Sequence, residues 1–123
     1  MILVDTSVWI DHLRESDQAL AVALEAGEVL VHPFVVGELA CGNLAHRQEV
    51  LSLLRALPQA QVASDEEGLA FIEGRQLMGR GIGYVDVHLL ASVVLDGAAT
   101  LWTRDKRLAA VASDLSLAHG EPG

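Results

Sequence analysis

Basic residues are scarce in this sequence. Eight Lys and Arg stand against seventeen Asp and Glu, a formal net charge of -9 at pH 7, which argues against a broad basic face as the means of holding nucleic acid. A polyanionic substrate must then be met by metal ions or by a local group of Arg and Lys, and the surplus of acid favours binding of a basic partner. Cysteine occurs once, at Cys41. No internal disulfide can form, and a lone Cys in an apolar helix is expected to be a small buried hydrophobe. Aromatic residues make up only 4%. No apolar run nears the roughly 20 residues that cross a bilayer, and the N-terminus lacks the positive region of a signal peptide. The expectation is a cytoplasmic location with no membrane partner.

What is present suits one domain with one core. The chain has 123 residues, 51% of them hydrophobic, and a single domain over 1–123 is expected. Most of the apolar content is Leu, Ala and Val, which fits an α/β fold with helices packed on a buried parallel sheet. Met1 to Val4 reads as a buried strand that stops at Asp5, and Thr6 or Ser7 is positioned to cap the helix that follows. Asp17 caps a second helix ending near Gly27, and Val29 to Val31 is the next strand. Pro33 opens a helix carrying Glu38, which Gly42-Asn43 ends. Leu44 to Leu57 reads as a helix closed by Pro58, and Gln61 to Ala63 as a brief strand. Ser64 caps a helix with Asp65, Glu66 and Glu67 in its first turn, running to about Met78.

Residues 79–83 form a glycine-rich loop whose spacing is not that of a dinucleotide-binding turn. Tyr84 to Leu95 is the most apolar helix, with Gly97 as its C-cap, and Ala99 to Trp102 is a strand. Thr103 is expected to cap the helix Arg104 to Val111, and Leu115 to Ala118 to form a last edge strand.

Four acids occupy positions that this alternation brings to one edge of the sheet. Asp5 and Asp105 lie just past strands, Asp86 in the first turn of a helix and Glu38 in the second turn of another. Parallel strands present their carboxyl ends on one side, where the following helices begin and ligands bind. Each acid alone has a plain explanation: a cap for Asp5, an exposed helix position for Glu38, a dipole-favoured first-turn acid for Asp86, a solvated charge run for Asp105 beside Arg104, Lys106 and Arg107. Together they repel unless a cation lies between them. An all-oxygen donor set without His or Cys suits Mg2+ or Mn2+ rather than zinc. Such ions activate water and stabilise charge on a phosphoryl group, and nucleic acid supplies that group.

Lesser candidates are Ser7 and Thr103, which could support an acid but read first as caps, and His88, which reads as a core or surface histidine. Asp11, Asp96 and Asp114 read as solvated. Arg80, Arg104, Lys106 and Arg107 are the bases nearest the edge and could contact phosphates.

Four stretches carry a family resemblance: Leu-Val-Asp-Thr-Ser-Val-Trp-Ile-Asp at 3–11, Gly-Glu-Leu-Ala at 37–40, Gly-Tyr-Val-Asp-Val-His-Leu-Leu-Ala-Ser at 83–92, and Leu-Trp-Thr-Arg-Asp-Lys-Arg-Leu at 101–108. In this order they resemble a PIN domain, and more narrowly VapC, the toxin of VapBC toxin-antitoxin pairs. The resemblance implies a three-layer α/β/α sandwich with a central parallel sheet and a Mg2+- or Mn2+-dependent endoribonuclease. It implies Asp5, Glu38, Asp86 and Asp105 as catalytic metal ligands, with Thr103 matching an accompanying hydroxyl. It also implies a homodimer and a VapB-like antitoxin whose C-terminal segment lies across the site and places a basic side chain among the acids. One departure is visible, Leu108, where many relatives have an aromatic residue; this touches packing and leaves the chemistry intact.

The expected activity is hydrolysis of phosphodiester bonds in single-stranded or loop regions of structured RNA by metal-activated water. A receiver-type signalling domain is the rival from another class, but Asp5 has no acidic neighbour and no Asp follows a central strand. A catalytically silent RNA-binding module is the second rival, which the intact acid set argues against.

Overall fold

The computed structural model describes residues 1–120; the last three residues of the expected single domain, 121–123, lie outside the described residues. The fold is built around β1 (Ile2–Val4), whose three side chains are all buried. Val29–Leu30 (β2) and Thr100–Trp102 (β3) flank it, giving a parallel sheet of order β2-β1-β3 with Ile2 opposite Val29 and Thr100. Single parallel bridges widen the sheet on both sides, Val31 to Gln59 and Leu101 to Ala118. Strands this short, mostly apolar and largely buried require cover on both faces. Seven helices among the described residues provide it, in the α/β/α arrangement expected from the sequence.

These are α1 (Thr6–Arg14), α2 (Gln18–Glu25), α3 (Pro33–Ala40), α4 (Arg47–Ala56), α5 (Asp65–Arg75), α6 (Tyr84–Asp96) and α7 (Lys106–Asp114). α6 is buried continuously from Val87 to Val93 and packs on β3 and α5, as a helix apolar around most of its circumference should. α1 packs on α3, and α3 on α4. Leu3, Val4, Leu89, Leu90, Leu101, Trp102 and Leu108 are almost wholly excluded from solvent, so Leu108 fills its place in the core.

Several boundaries differ from the sequence expectation, each for a local reason. Asp17 caps α2 by accepting the Leu20 N–H, and Ser64 and Glu67 close a reciprocal capping box on α5. By contrast, neither Thr6 nor Ser7 caps α1; Asp5 holds the cap position with its side chain engaged elsewhere. α7 begins at Lys106, capped by Asp105 through the Leu108 N–H, so Thr103 is not its cap. α4 begins at Arg47 rather than Leu44, after a left-handed His46 with φ 53°; the Arg47 guanidinium donates to the carbonyls of Ala40 and Gly42, tying the end of α3 to this corner. α5 stops at Arg75, because Gln76 turns left-handed with φ 54°. The expected strand at 61–63 is absent: the pairing falls on Gln59, and only Ala118 of the expected last strand pairs. Cys41 is exposed at the C-cap of α3, against the expected burial. Among the described residues no helix is long and apolar enough to cross a membrane.

Candidate metal-dependent nuclease site

Asp5 follows β1 directly, and its backbone N–H donates to the Trp102 carbonyl at 2.9 Å. That ladder bond ties the end of β1 to the end of β3 and draws the 103–105 loop against Asp5. One carboxylate oxygen, Oδ2, accepts from both Thr103 Oγ1 at 2.7 Å and Ser7 Oγ at 2.8 Å. Ser7 Oγ in turn accepts the Arg104 N–H at 2.9 Å. Asp5 is only 6% exposed, and two hydroxyl donors are what a buried carboxylate needs to stay fixed. Ser7 and Thr103 thus support an acid, although their positions beside helix starts suggested caps.

Glu38 is exposed in the second turn of α3, and Thr6 Oγ1 donates to its Oε1 at 2.7 Å. Sequence reasoning missed Thr6, because its partner lies 32 residues away. Asp86 lies in the first turn of α6 and its Oδ2 accepts the Gly83 N–H at 3.1 Å. Asp105 is exposed at the N-cap of α7, with Oδ1 accepting from Leu108 and its own N–H donating to Thr103 Oγ1.

The electrostatics join the four. The Asp86 carboxyl is held above its usual range, first by burial and then by the negative charges of Asp5, Asp105 and Glu38, while the Gly83 N–H works in the opposite sense. Acids on α3 and at the two strand ends therefore act on Asp86 of α6, as like charges near one edge should. Oxygen donors alone, mutually repelling, are a set that fits a hard divalent cation. Among the described residues no three His, Cys, Asp or Glu are grouped tightly enough to hold a metal ion as they stand. Glu38 and Asp105 are exposed.

The other sequence candidates separate from this edge. His88 is 1% exposed and is packed edge-on against the rings of Phe34 and Tyr84. Arg104 is committed to Asp11 at 2.7 Å and Asp17 at 2.6 Å, and it holds the Asp17 carboxyl below its ordinary range. Arg80 pairs with Asp114 at 2.6 Å. Asp11 and Asp114, expected to be solvated, are thus ion-paired, and Asp96 accepts the Ala98 N–H. The signal for the Arg104 clamp was a base next to the last acid, but its partners sit 93 and 87 residues earlier.

A cleft of about 480 Å³ opens beside Glu38, lined by Ile10, Leu13, Leu39 and Leu44 with Arg14 and His46. Ile10 and Leu13 are unusually exposed for their type, at 41% and 38%.

A short parallel sheet inside two helical layers, with acids gathered where β1, β3, α3 and α6 meet, defines a PIN domain. The PIN domain family model matches residues 2–114, and the chain belongs to this family. It is also 50% identical over 121 residues, 98% of both chains, to Ribonuclease VapC32 of Mycobacterium tuberculosis strain CDC 1551 / Oshkosh and, to the same extent, of strain ATCC 25618 / H37Rv. That likeness places it among the VapC-type PIN domains.

Proposed function

We propose that this chain is the toxin of a type II toxin-antitoxin pair, an endoribonuclease that depends on Mg2+ or Mn2+ and acts from Asp5, Glu38, Asp86 and Asp105. The observation that carries this is the buried Asp5 carboxylate at the end of β1, fixed through Oδ2 by Ser7 and Thr103, whose charge with those of Glu38 and Asp105 reaches Asp86. When bound there, a divalent ion supplies charge neutralisation, Lewis-acid stabilisation of the phosphoryl group and a more acidic water.

The chain's own residues prepare that edge. Ser7 and Thr103 hold Asp5 by Oδ2 and leave Oδ1 without a protein donor among the described residues. Thr6 restrains Glu38, and the Gly83 N–H orients Asp86. Asp86 keeps its proton to higher pH than a free carboxyl, so occupation by a cation is coupled to release of that proton. The substrate is RNA in single-stranded or loop form, where unstacked phosphodiesters reach a narrow edge.

The partner is a VapB-like antitoxin, whose C-terminal segment lies along the apolar cleft beside Glu38 and presents a basic side chain to the acids. The apolar lining of that cleft and the net charge of -9 support this. The toxin acts as a homodimer in the cytoplasm. The experiment is incubation of total RNA with antitoxin-free protein in Mg2+ or Mn2+, with and without EDTA, and mapping of the new ends. Discrete metal-dependent cuts are the expected result; an uncut pool in both metals overturns the proposal.

A further inference from the structure

Arg107 stands apart from the other bases at the acidic edge. Arg80 and Arg104 are tied to acids, whereas Arg107, exposed in the first turn of α7, makes no hydrogen bond or ion pair among the described residues. Its side chain lies instead across the backbone of Gly81. A methyl group built at Gly81 would stand 2.9 Å from Arg107 Cδ, 3.1 Å from Nη1 and 3.3 Å from Nε. Gly81 also has φ +81°, so the turn itself favours glycine, and the absence of a side chain there leaves room for the guanidinium. In a chain with seventeen acids and eight bases, a cation resting on a glycine rather than on a carboxylate keeps its hydrogen-bonding fork available.

Its place in the fold gives that availability a use. Arg107 is two residues after Asp105, and the loop it covers leads to Gly83, whose N–H holds Asp86. The guanidinium therefore links the two elements that deliver Asp105 and Asp86. Lys106 is exposed too, but only the planar fork of arginine matches phosphate oxygens two at a time.

We propose that Arg107 is a substrate-positioning residue that grips an RNA phosphate adjoining the four-acid edge, orienting the backbone that the acids' own charge would otherwise repel. This rests on the ribonuclease reading given above. Gly81 is the seat that keeps the fork in place between substrates.

The test is fluorescence anisotropy of a short, labelled, mixed-sequence single-stranded RNA titrated in Mn2+ onto the full chain carrying Asp5→Asn, so that bound RNA is not cut. Adding Arg107→Gln is expected to weaken binding about tenfold and to lower the slope of affinity against salt by about one ion. Arg107→Lys keeps the slope with part of the affinity. Arg55→Gln, which removes the same charge from exposed α4, stays with the parent. In the otherwise native chain Arg107→Gln raises KM more than it lowers kcat. Affinity and slope within about twofold of the parent, or an equal loss in Arg55→Gln, overturn the assignment. If that happens while the native chain cuts RNA, the ribonuclease reading stands; if the native chain neither binds nor cuts RNA, both fall.

Discussion

Asp5 has one oxygen fixed by two hydroxyls and the other open, and the donor from Thr103 arrives across the sheet from β3. Thr103→Val keeps the shape and removes that donor, leaving Ser7 alone on Oδ2. We expect about a tenfold loss in Mn2+ affinity, read by calorimetric titration, with Thr103→Ser close to native. Asp86 gives a prediction of the opposite sign for stability. Its folded carboxyl is raised, so the folded state binds more protons than the unfolded, and stability of the metal-free chain falls as pH rises from 3.8 through that raised value. Asp86→Asn keeps an acceptor for Gly83 and deletes the repulsion. The metal-free thermal midpoint should rise by about 4 °C, on the order of 1 kcal/mol, as cleavage is lost. The positions of the acids were legible in the sequence: Asp5 and Asp105 follow strands, Asp86 lies in the first turn of α6 and Glu38 in the second turn of α3. The roles of Thr6, Ser7 and Thr103 were not, since nothing local tells a hydroxyl whether to meet a backbone amide or a carboxylate across the sheet.

At the level of elements, α3 carries Glu38 and is capped by an imidazole. His32 Nδ1 accepts the Phe34 N–H at 3.0 Å, the ring is fully buried, and the cap exists only while Nδ1 is unprotonated. Burial first, and the neighbouring His88 second, lower its pKa to about 4 from 6.5. The folded state thus takes up fewer protons than the unfolded between these values, and stability is lost as pH falls from 6.5 to about 4, by roughly 3 kcal/mol at most. Replacing His32 by Asn, a good cap that does not titrate, should flatten that limb in thermal melts recorded across the same pH range, though the smaller side chain lowers the midpoint at neutral pH. Helices announced by local chemistry, such as Ser64 with Glu67, were legible. The start of α4 was not, because it depends on Arg47 reaching back to carbonyls of the preceding helix.

On the scale of the whole molecule, the central β1 was readable from four residues, and its neighbours from short apolar runs. The sheet's outer limits were legible only in part: the last edge was expected at 115–118 and pairs at Ala118, whereas the pairing of Gln59 is a single bridge that leaves no pattern in the sequence. The net charge of -9 is a property of the entire surface, and it opposes compaction when no cation is bound. Raising KCl from about 0.05 to about 0.5 M should therefore raise the metal-free thermal midpoint by a few degrees, and by less once Mn2+ is present.

If the four acids form one metal-dependent cutting edge, removing any one of them stops cleavage without unfolding the chain. The most direct measurement is the cleavage rate of one labelled RNA in Mn2+ by the native chain, Asp5→Asn and Asp86→Asn, each shown by circular dichroism and thermal melting to be folded. A loss of about 100-fold or more is expected in both variants. Cleavage within about twofold of native by either folded variant would contradict it.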